Sequence, residues 1–262
     1  MMEHSNKTGL KGQIAVVTGA SRPAGIGTAI CRALAQAGAD VLFTHWKAYD
    51  RTMEWGAEEA WPTQLAGELR ALGVRAEELE CDLSRPEGPQ EVMDAVEKRL
   101  GSASILVNNA AYSTRDGYAR LDAATLDTHY AVNVRGTCLL SVEFARRRGA
   151  QGGRIIHMVS GQDQGPMPEE LAYAATKGAV SAFTVTLAAE LAGLGITVNA
   201  VDPGPTDTGW MTGSLKRELL PRFPRGRIGT PEDAARLVAF LASREAEWIT
   251  GQIIHSEGGF RN

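Results

Sequence analysis

Strand-like and helix-like segments alternate along this chain with mostly short connections, and that alternation is what most restricts its fold. Apolar runs at Ile14 to Thr18, Val41 to Thr44, Arg75 to Cys81, Ile105 to Val107, Arg154 to Val159, Thr197 to Val201 and Ile253 to His255 read as seven strands. Helical composition fills Thr28 to Ala37, Trp61 to Leu72, Gln90 to Leu100, Leu126 to Arg147, Leu171 to Leu191 and Pro231 to Leu241. Glycines 38, 73 and 101 stand where helices should stop, and Thr230 is a natural N-cap before Pro231. Strands separated by helices cannot pair as hairpins; each crosses over through its helix and pairs in parallel. The expectation is one α/β domain over residues 1–262. It should be doubly wound, with about seven parallel strands and helices on both faces. Residues 1–12 are polar and expected to be a flexible N-terminal segment. Two connections are unusually long: His45 to Pro62, with Trp46, Trp55 and Trp61, and Thr206 to Arg227, with Trp210, Met211 and Phe223. Long loops at strand ends usually cover a site, and 206–227 is expected to cover the substrate.

Composition narrows the function classes. The net charge of −4 gives no reason to expect nucleic acid as a partner. No run approaches the ~18 apolar residues that a membrane span needs, and the N-terminus has no signal-like apolar stretch. A cytoplasmic protein is the default. Cys31, Cys81 and Cys138 are scattered, which fits buried thiols in a reducing compartment better than a disulfide framework. His4, His45, His129, His157 and His255 form no metal-ligand spacing.

The first strand runs into Thr18-Gly19-Ala20-Ser21-Arg22-Pro23-Ala24-Gly25-Ile26-Gly27 and then a helix. Glycines there permit a tight turn and close approach of backbone to phosphate, and the helix N-terminus offers unpaired N–H groups with partial positive charge. Such turns also serve plain packing, but this one joins the first strand and first helix of a βαβ unit. That is the dinucleotide-binding position of a Rossmann-type fold.

Tyr173 and Lys177 are four residues apart and share one helix face, and Ser160 precedes Tyr173 by thirteen residues. An ammonium beside a phenol favours the phenolate, lowering a pKa that is ordinarily ~10 and suiting the tyrosine to proton transfer near neutral pH. The plain alternative is a surface Tyr-Lys pair on an amphipathic helix.

Taken together, the chain resembles the short-chain dehydrogenase/reductase family, in its Tyr-x-x-x-Lys branch. The resemblance rests on Thr18-Gly19 with Gly25 and Gly27, Asp82, Asn108-Asn109-Ala110, Asn133, Ser160, Tyr173, Lys177, and Pro203-Gly204 with Thr206 and Thr208. The close, Ile249-Thr250-Gly251-Gln252 with Gly258-Gly259-Phe260, is similar to bacterial 3-oxoacyl reductases. Departures are two extra residues before Gly25, Ala111 in place of a glycine, and a longer loop after the second strand. The resemblance implies that Tyr173 exchanges a proton with the substrate oxygen. It further implies that Lys177 lowers the Tyr173 pKa and bonds the nicotinamide ribose, that Ser160 orients the carbonyl, and that Asn133 anchors a water relay. It implies cofactor contacts from Gly19, Ser21, Arg22, Gly25, Ile26 and Gly27 in the turn. Asp82 and Leu83 would lie at the adenine, and Asn109, Ala110 and Ala111 along the adenosine ribose. Pro203, Gly204, Thr206 and Thr208 would lie near the nicotinamide.

An acidic residue at the end of the second strand would repel a 2′-phosphate. That position is about His45, and Arg22 and Lys47 are cations placed to meet such a phosphate. NADP(H) is therefore expected over NAD(H). The expected reaction reduces a ketone to a secondary alcohol, reversibly, with a 3-oxoacyl thioester as one candidate. An acidic acyl carrier protein would need a basic docking surface, for which Arg146-Arg147-Arg148 is a candidate. Against that stand Leu194, where many such reductases carry an arginine, and Glu169 and Glu170 near the expected mouth. The alternatives are an NAD(H)-dependent dehydrogenase of a small alcohol, sugar or other carbonyl, a cofactor-sensing binding protein, and an oligomeric scaffold. The resemblance also implies a homotetramer built on the long helices around 126–147 and 171–191.

Overall fold

The computed structural model of the chain describes residues 9–53 and 56–261. Seven strands form one parallel sheet in the order β3-β2-β1-β4-β5-β6-β7. They are β1 (Ile14–Val17), β2 (Asp40–His45), β3 (Ala76–Glu80), β4 (Ile105–Asn108), β5 (Gly153–Met158), β6 (Ile196–Asp202) and β7 (Ile253–His255). The inner strands are near-continuous runs of buried residues, as strands covered on both faces must be. β3 is an edge strand that carries Glu77, Glu78 and Glu80, which accounts for its weak apolar signal.

Helices cover both faces. On one, α1 (Ile26–Gln36) packs against α9 (Pro231–Ala242), with α3 (Trp61–Ala71) beside them; Ile30, Leu34, Leu65, Val238 and Leu241 are buried there with Val41 and Phe43 of β2. On the other, α4 (Gly88–Arg99), α6 (Thr137–Arg148) and α7 (Leu171–Leu191) enclose Met93, Leu140, Phe144, Leu187 and Leu106. Each such side chain contributes roughly 1.5–3 kcal/mol by leaving water. The chain order reverses between β1 and β4, so the crevice at their C-terminal ends is the topological switch point where folds of this kind bind ligands.

Three features differ from the sequence expectation. The helix expected over Leu126 to Arg147 is α5 (Ala123–His129), a π-helical turn (Tyr130–Gly136) and α6. The wider turn holds buried Asn133, whose side chain bonds the loop after β4. The long connection after β2 contains a one-turn helix, α2 (Lys47–Asp50), and the one after β6 contains α8 (Gly213–Leu219), capped by the Thr212 hydroxyl. Residues 1–8 of the expected N-terminal segment, including His4, and Trp55 lie outside the described residues. Among those described, no helix is long and apolar enough to cross a membrane.

Candidate active site

The phosphate turn is braced from β4. The Thr18 hydroxyl accepts the N–H groups of Asn109 and Ala110, both at 3.0 Å, and the Asn109 amide donates to the carbonyls of Thr18 and Gly19, both at 2.9 Å. Gly19 has a φ of 77°, and a Cβ there would lie 2.7 Å from the Ala110 backbone. A Cβ on Gly27 would meet the Gly19 carbonyl at 2.3 Å. Only glycine fits either place. Asn109, expected along the ribose, thus spends its amide on the turn itself. α1 begins at Ile26 behind Gly25 with no side-chain cap, which leaves its first N–H groups for an anion.

At the β2 end, the Ser21 hydroxyl accepts the Trp46 N–H at 3.3 Å and joins the turn to the β2 exit. His45 is buried. Its Nε2 meets Glu78 at 2.5 Å, while its Nδ1 is buried with no hydrogen-bond partner. Lys47 lies 3.3 Å from Glu59 and 3.8 Å from Glu80. The end of β2 carries no carboxylate of its own, but β3 and the α2–α3 connection bring Glu78, Glu80 and Glu59 to it. Arg22 lies within electrostatic reach of Asp50 and Glu58 in the connection after β2. It reaches over the crevice, donating to the Thr208 carbonyl at 3.3 Å and hydroxyl at 3.4 Å. Asp82 accepts the Ser84 N–H at 2.8 Å and shapes the turn after β3; Leu83 beside it is buried.

The dinucleotide that such a fold implies fits these residues. An uncapped helix N-terminus follows a turn with no room for side chains, and an orphaned imidazole nitrogen lies buried where the adenosine ribose would be read. Ser21, Gly25, Ile26 and Gly27 would hold the phosphates, with His45 and Lys47 at the adenosine end.

The chemistry gathers at the other end of the crevice. Ser160 follows β5, and its hydroxyl touches the Met167 sulfur at 3.8 Å. Tyr173 and Lys177 are on α7, with the Lys177 ammonium 5.4 Å from the centre of the Tyr173 ring. Lys177 is buried and donates to the Met158 carbonyl at 2.8 Å. Burial lowers its pKa to about 8. Asn133 joins this group through α7: its amide donates to the Thr176 hydroxyl at 3.0 Å, and that hydroxyl donates to the Tyr173 carbonyl at 2.8 Å.

The Tyr173 hydroxyl corrects the expectation of a lowered pKa. It is pushed up, first by burial and then by the negative charges of Glu170 and Asp202 and by Tyr49. Lys177 does not offset this, because its ammonium faces the ring and the Met158 carbonyl. Deeper in, His157 is fully buried between the Ser141 and Thr184 hydroxyls at 3.0 and 2.8 Å. Burial first, and then Lys177, lower its pKa to about 3, so it is neutral.

Beside Ser160 a recess of about 90 Å³ is lined by Gly161, Gln164, Met167, Asp202, Pro205, Glu257 and Phe260, with Gly204. Gly204 has a φ of 60° and packs directly on Glu257. Thr206 ties the loop back to the Pro203 and Gly204 carbonyls at 3.0 and 3.2 Å. Met211 and Phe223 are buried, and Phe223 packs on Phe260 with ring centres 4.8 Å apart. Trp210, expected in an apolar cover, is half exposed, with its indole N–H on the Thr206 carbonyl.

Sequence reading missed Asp116. Its carboxylate accepts N–H groups from Leu171 and Ala172, both at 2.8 Å, and from Gly117, so a buried loop residue caps the helix that carries Tyr173. No local pattern signals a cap more than fifty residues from its helix. Arg146-Arg147-Arg148, the candidate docking surface, lies away from this site. The triplet precedes β5 while Ser160 follows it, at opposite ends of the strand. Arg147 is held by Asp94, Glu97 and Glu143, and Arg148 by the Gln151 and Gly152 carbonyls.

Comparison with known proteins places this geometry. A family model described as enoyl-(acyl carrier protein) reductase matches residues 19–261. An uncharacterised oxidoreductase of Bacillus subtilis, YjdA, is 55% identical over 262 residues, 99% of each chain. A 3-oxoacyl-[acyl-carrier-protein] reductase of Staphylococcus epidermidis is 35% identical, over 94% of this chain and 97% of its own. Among solved structures, a mutant short-chain dehydrogenase/reductase of Serratia marcescens superposes with a TM-score of 0.86 at 34% identity, over 97% of this chain and 99% of that one.

Proposed function

The chain belongs to the short-chain dehydrogenase/reductase family, and on that premise we propose that it reduces a small ketone to a secondary alcohol with NADP(H). Enzymes of this family act on CH–OH and C=O groups and use a nicotinamide dinucleotide, which supplies or accepts the hydride. The observation that carries the reading is that Tyr173 and Lys177 on α7, with Asn133 packed against that helix, stand at the same end of the crevice as Ser160 after β5. A phenol kept neutral by burial is an acid waiting for a base. The oxygen of a carbonyl that gains negative charge is such a base. Ser160 donates to that oxygen and steadies the developing charge. The Lys177 ammonium, protonated below about pH 8, opposes the negative charge left on Tyr173 after transfer. Asn133 fixes the π turn and α7 together, holding the donor in register.

The recess of about 90 Å³, with Asp202 and Glu257 in its wall, suits a short uncharged carbonyl compound. Residues 206–227 act as its cover through Phe223 on Phe260. The 3-oxoacyl thioester is the second reading. A larger recess of about 340 Å³ shares Glu257 and is lined by Arg225, Arg227 and Arg236, which gives an acidic carrier something to meet. Arg227 and Arg236 are already paired with Asp233, which ranks this reading below the small ketone.

For the cofactor, NADP(H) is supported by His45 at the strand end and by its unpartnered Nδ1. NAD(H) is favoured by Glu59 and Glu80 around Lys47. Titration with both reduced dinucleotides decides; tighter NADH binding removes the NADP(H) assignment. The reaction is tested by Tyr173→Phe with short ketones and with acetoacetyl thioesters. Turnover should fall ~100-fold or more while dinucleotide affinity stays within a few-fold. Undiminished turnover in that variant rejects the mechanism.

A further inference from the structure

Two contacts cross the switch-point crevice, and both come from the segments in which this chain departs from the family pattern. The first is Arg22, in the lengthened turn after β1, on Thr208 in the loop after β6. In the strand order β1-β4-β5-β6 it passes over the ends of β4 and β5. The second is Tyr49, in α2 after β2, on Tyr112 in the loop after β4, with ring centres 5.3 Å apart. The Ser113 backbone lies near the Tyr49 hydroxyl. This contact passes over the end of β1.

Each contact is anchored. Tyr112 is gripped at both backbone groups by Asn133, at 2.7 and 2.9 Å, and its ring meets His129 edge-on with centres 4.8 Å apart. Tyr49 is stacked on Trp46, with centres 6.4 Å apart and planes 11° apart. Tyr49 is also within electrostatic reach of Arg22 and of Tyr173. A packing loop would lie down over its own strand. This one crosses the place where the dinucleotide would lie, and brings an aromatic ring within electrostatic reach of Tyr173. A guanidinium at the phosphate turn has the planar pair of donors that suits phosphate oxygens.

Building on the dinucleotide reading above, we propose that Arg22 and Tyr49 are cofactor-retaining residues that roof the crevice, so that exchange of the dinucleotide requires both contacts to part. Thr208 and Tyr112 are the fixed posts on which the roof rests. Retention by enclosure acts on the dissociation rate, because the bound molecule must wait for an opening.

The test is release of NADPH from the purified wild-type chain and from Arg22→Ala, Tyr49→Ala, Tyr49→Phe and the double alanine variant. Energy transfer from tryptophan to bound NADPH is followed in stopped flow after displacement with excess NADP⁺. Each alanine variant should release NADPH about tenfold faster, and the double variant faster still. Tyr49→Phe, which keeps the ring, should stay within about threefold of wild type. Release within about twofold of wild type in both single alanine variants overturns the proposal. If the variants do not fold, hydrogen exchange of the wild type decides. NADPH should slow exchange across residues 46–53, and no slowing there overturns it equally. A wild type that binds neither NADPH nor NADH is a different result, which removes the dinucleotide reading itself.

Discussion

Lys177 is the residue whose titration should be visible in activity. Burial lowers its pKa to about 8. It is charged below that value and neutral above it. If its charge supports proton transfer from Tyr173, kcat/KM for carbonyl reduction should be level near neutral pH and fall about tenfold per unit above roughly pH 8. A pH–rate profile checks this, and a profile that stays flat to about pH 10 removes Lys177 from the step. The placement of Ser160, Tyr173 and Lys177 was legible in sequence because they sit at fixed offsets on one strand end and one helix. The state of the tyrosine was not. Its pKa depends first on burial and then on Glu170, Asp202 and Tyr49, all of which only the fold brings about. Arg22 shows the same limit: its charge suggested a phosphate contact, while its direction depends on a loop 186 residues away.

At the scale of elements, the capping of α7 by Asp116 sets where Tyr173 stands. The carboxylate takes three backbone N–H groups, and these hold its pKa below the usual range although burial opposes them. Its stabilisation is present above the ordinary Asp pKa and is lost as pH falls through the lowered one. Asp116→Ala should cost about 2–3 kcal/mol in urea unfolding and lower kcat, with partial rescue by Asp116→Asn, which keeps one acceptor. A variant as stable and active as wild type would show that the cap is dispensable. A second cap, Asp233 at the start of α9, forms a capping box with Thr230 and pairs with Arg227 and Arg236; Thr230 was foreseen, its partners were not. The boundaries of α7 were readable to the residue. The break at Asn133 was not, because a π turn inserts a residue without disturbing composition.

For the whole molecule, strand count, parallel pairing and two helical layers followed from alternation alone, whereas α2 and α8 are too short to leave a periodic signal. The outer faces of the helices around 123–148 and of α7 expose Leu126, Tyr130, Leu139, Leu171 and Val185. Apolar side chains grouped on two helices mark an association surface, and we propose that they pair copies of this chain into the tetramer that the resemblance implies. Leu139→Glu combined with Val185→Glu should lower the mass measured by light scattering; a wild type that is monomeric at micromolar concentration ends that proposal. The packing of α1 on α9 has a consequence for how the chain is made. Ile30 and Leu34 leave the ribosome well before the helix that covers them, with Val238 and Leu241, has been made. Until then the nascent chain carries an uncovered apolar face, and this is the stage at which it most needs a chaperone.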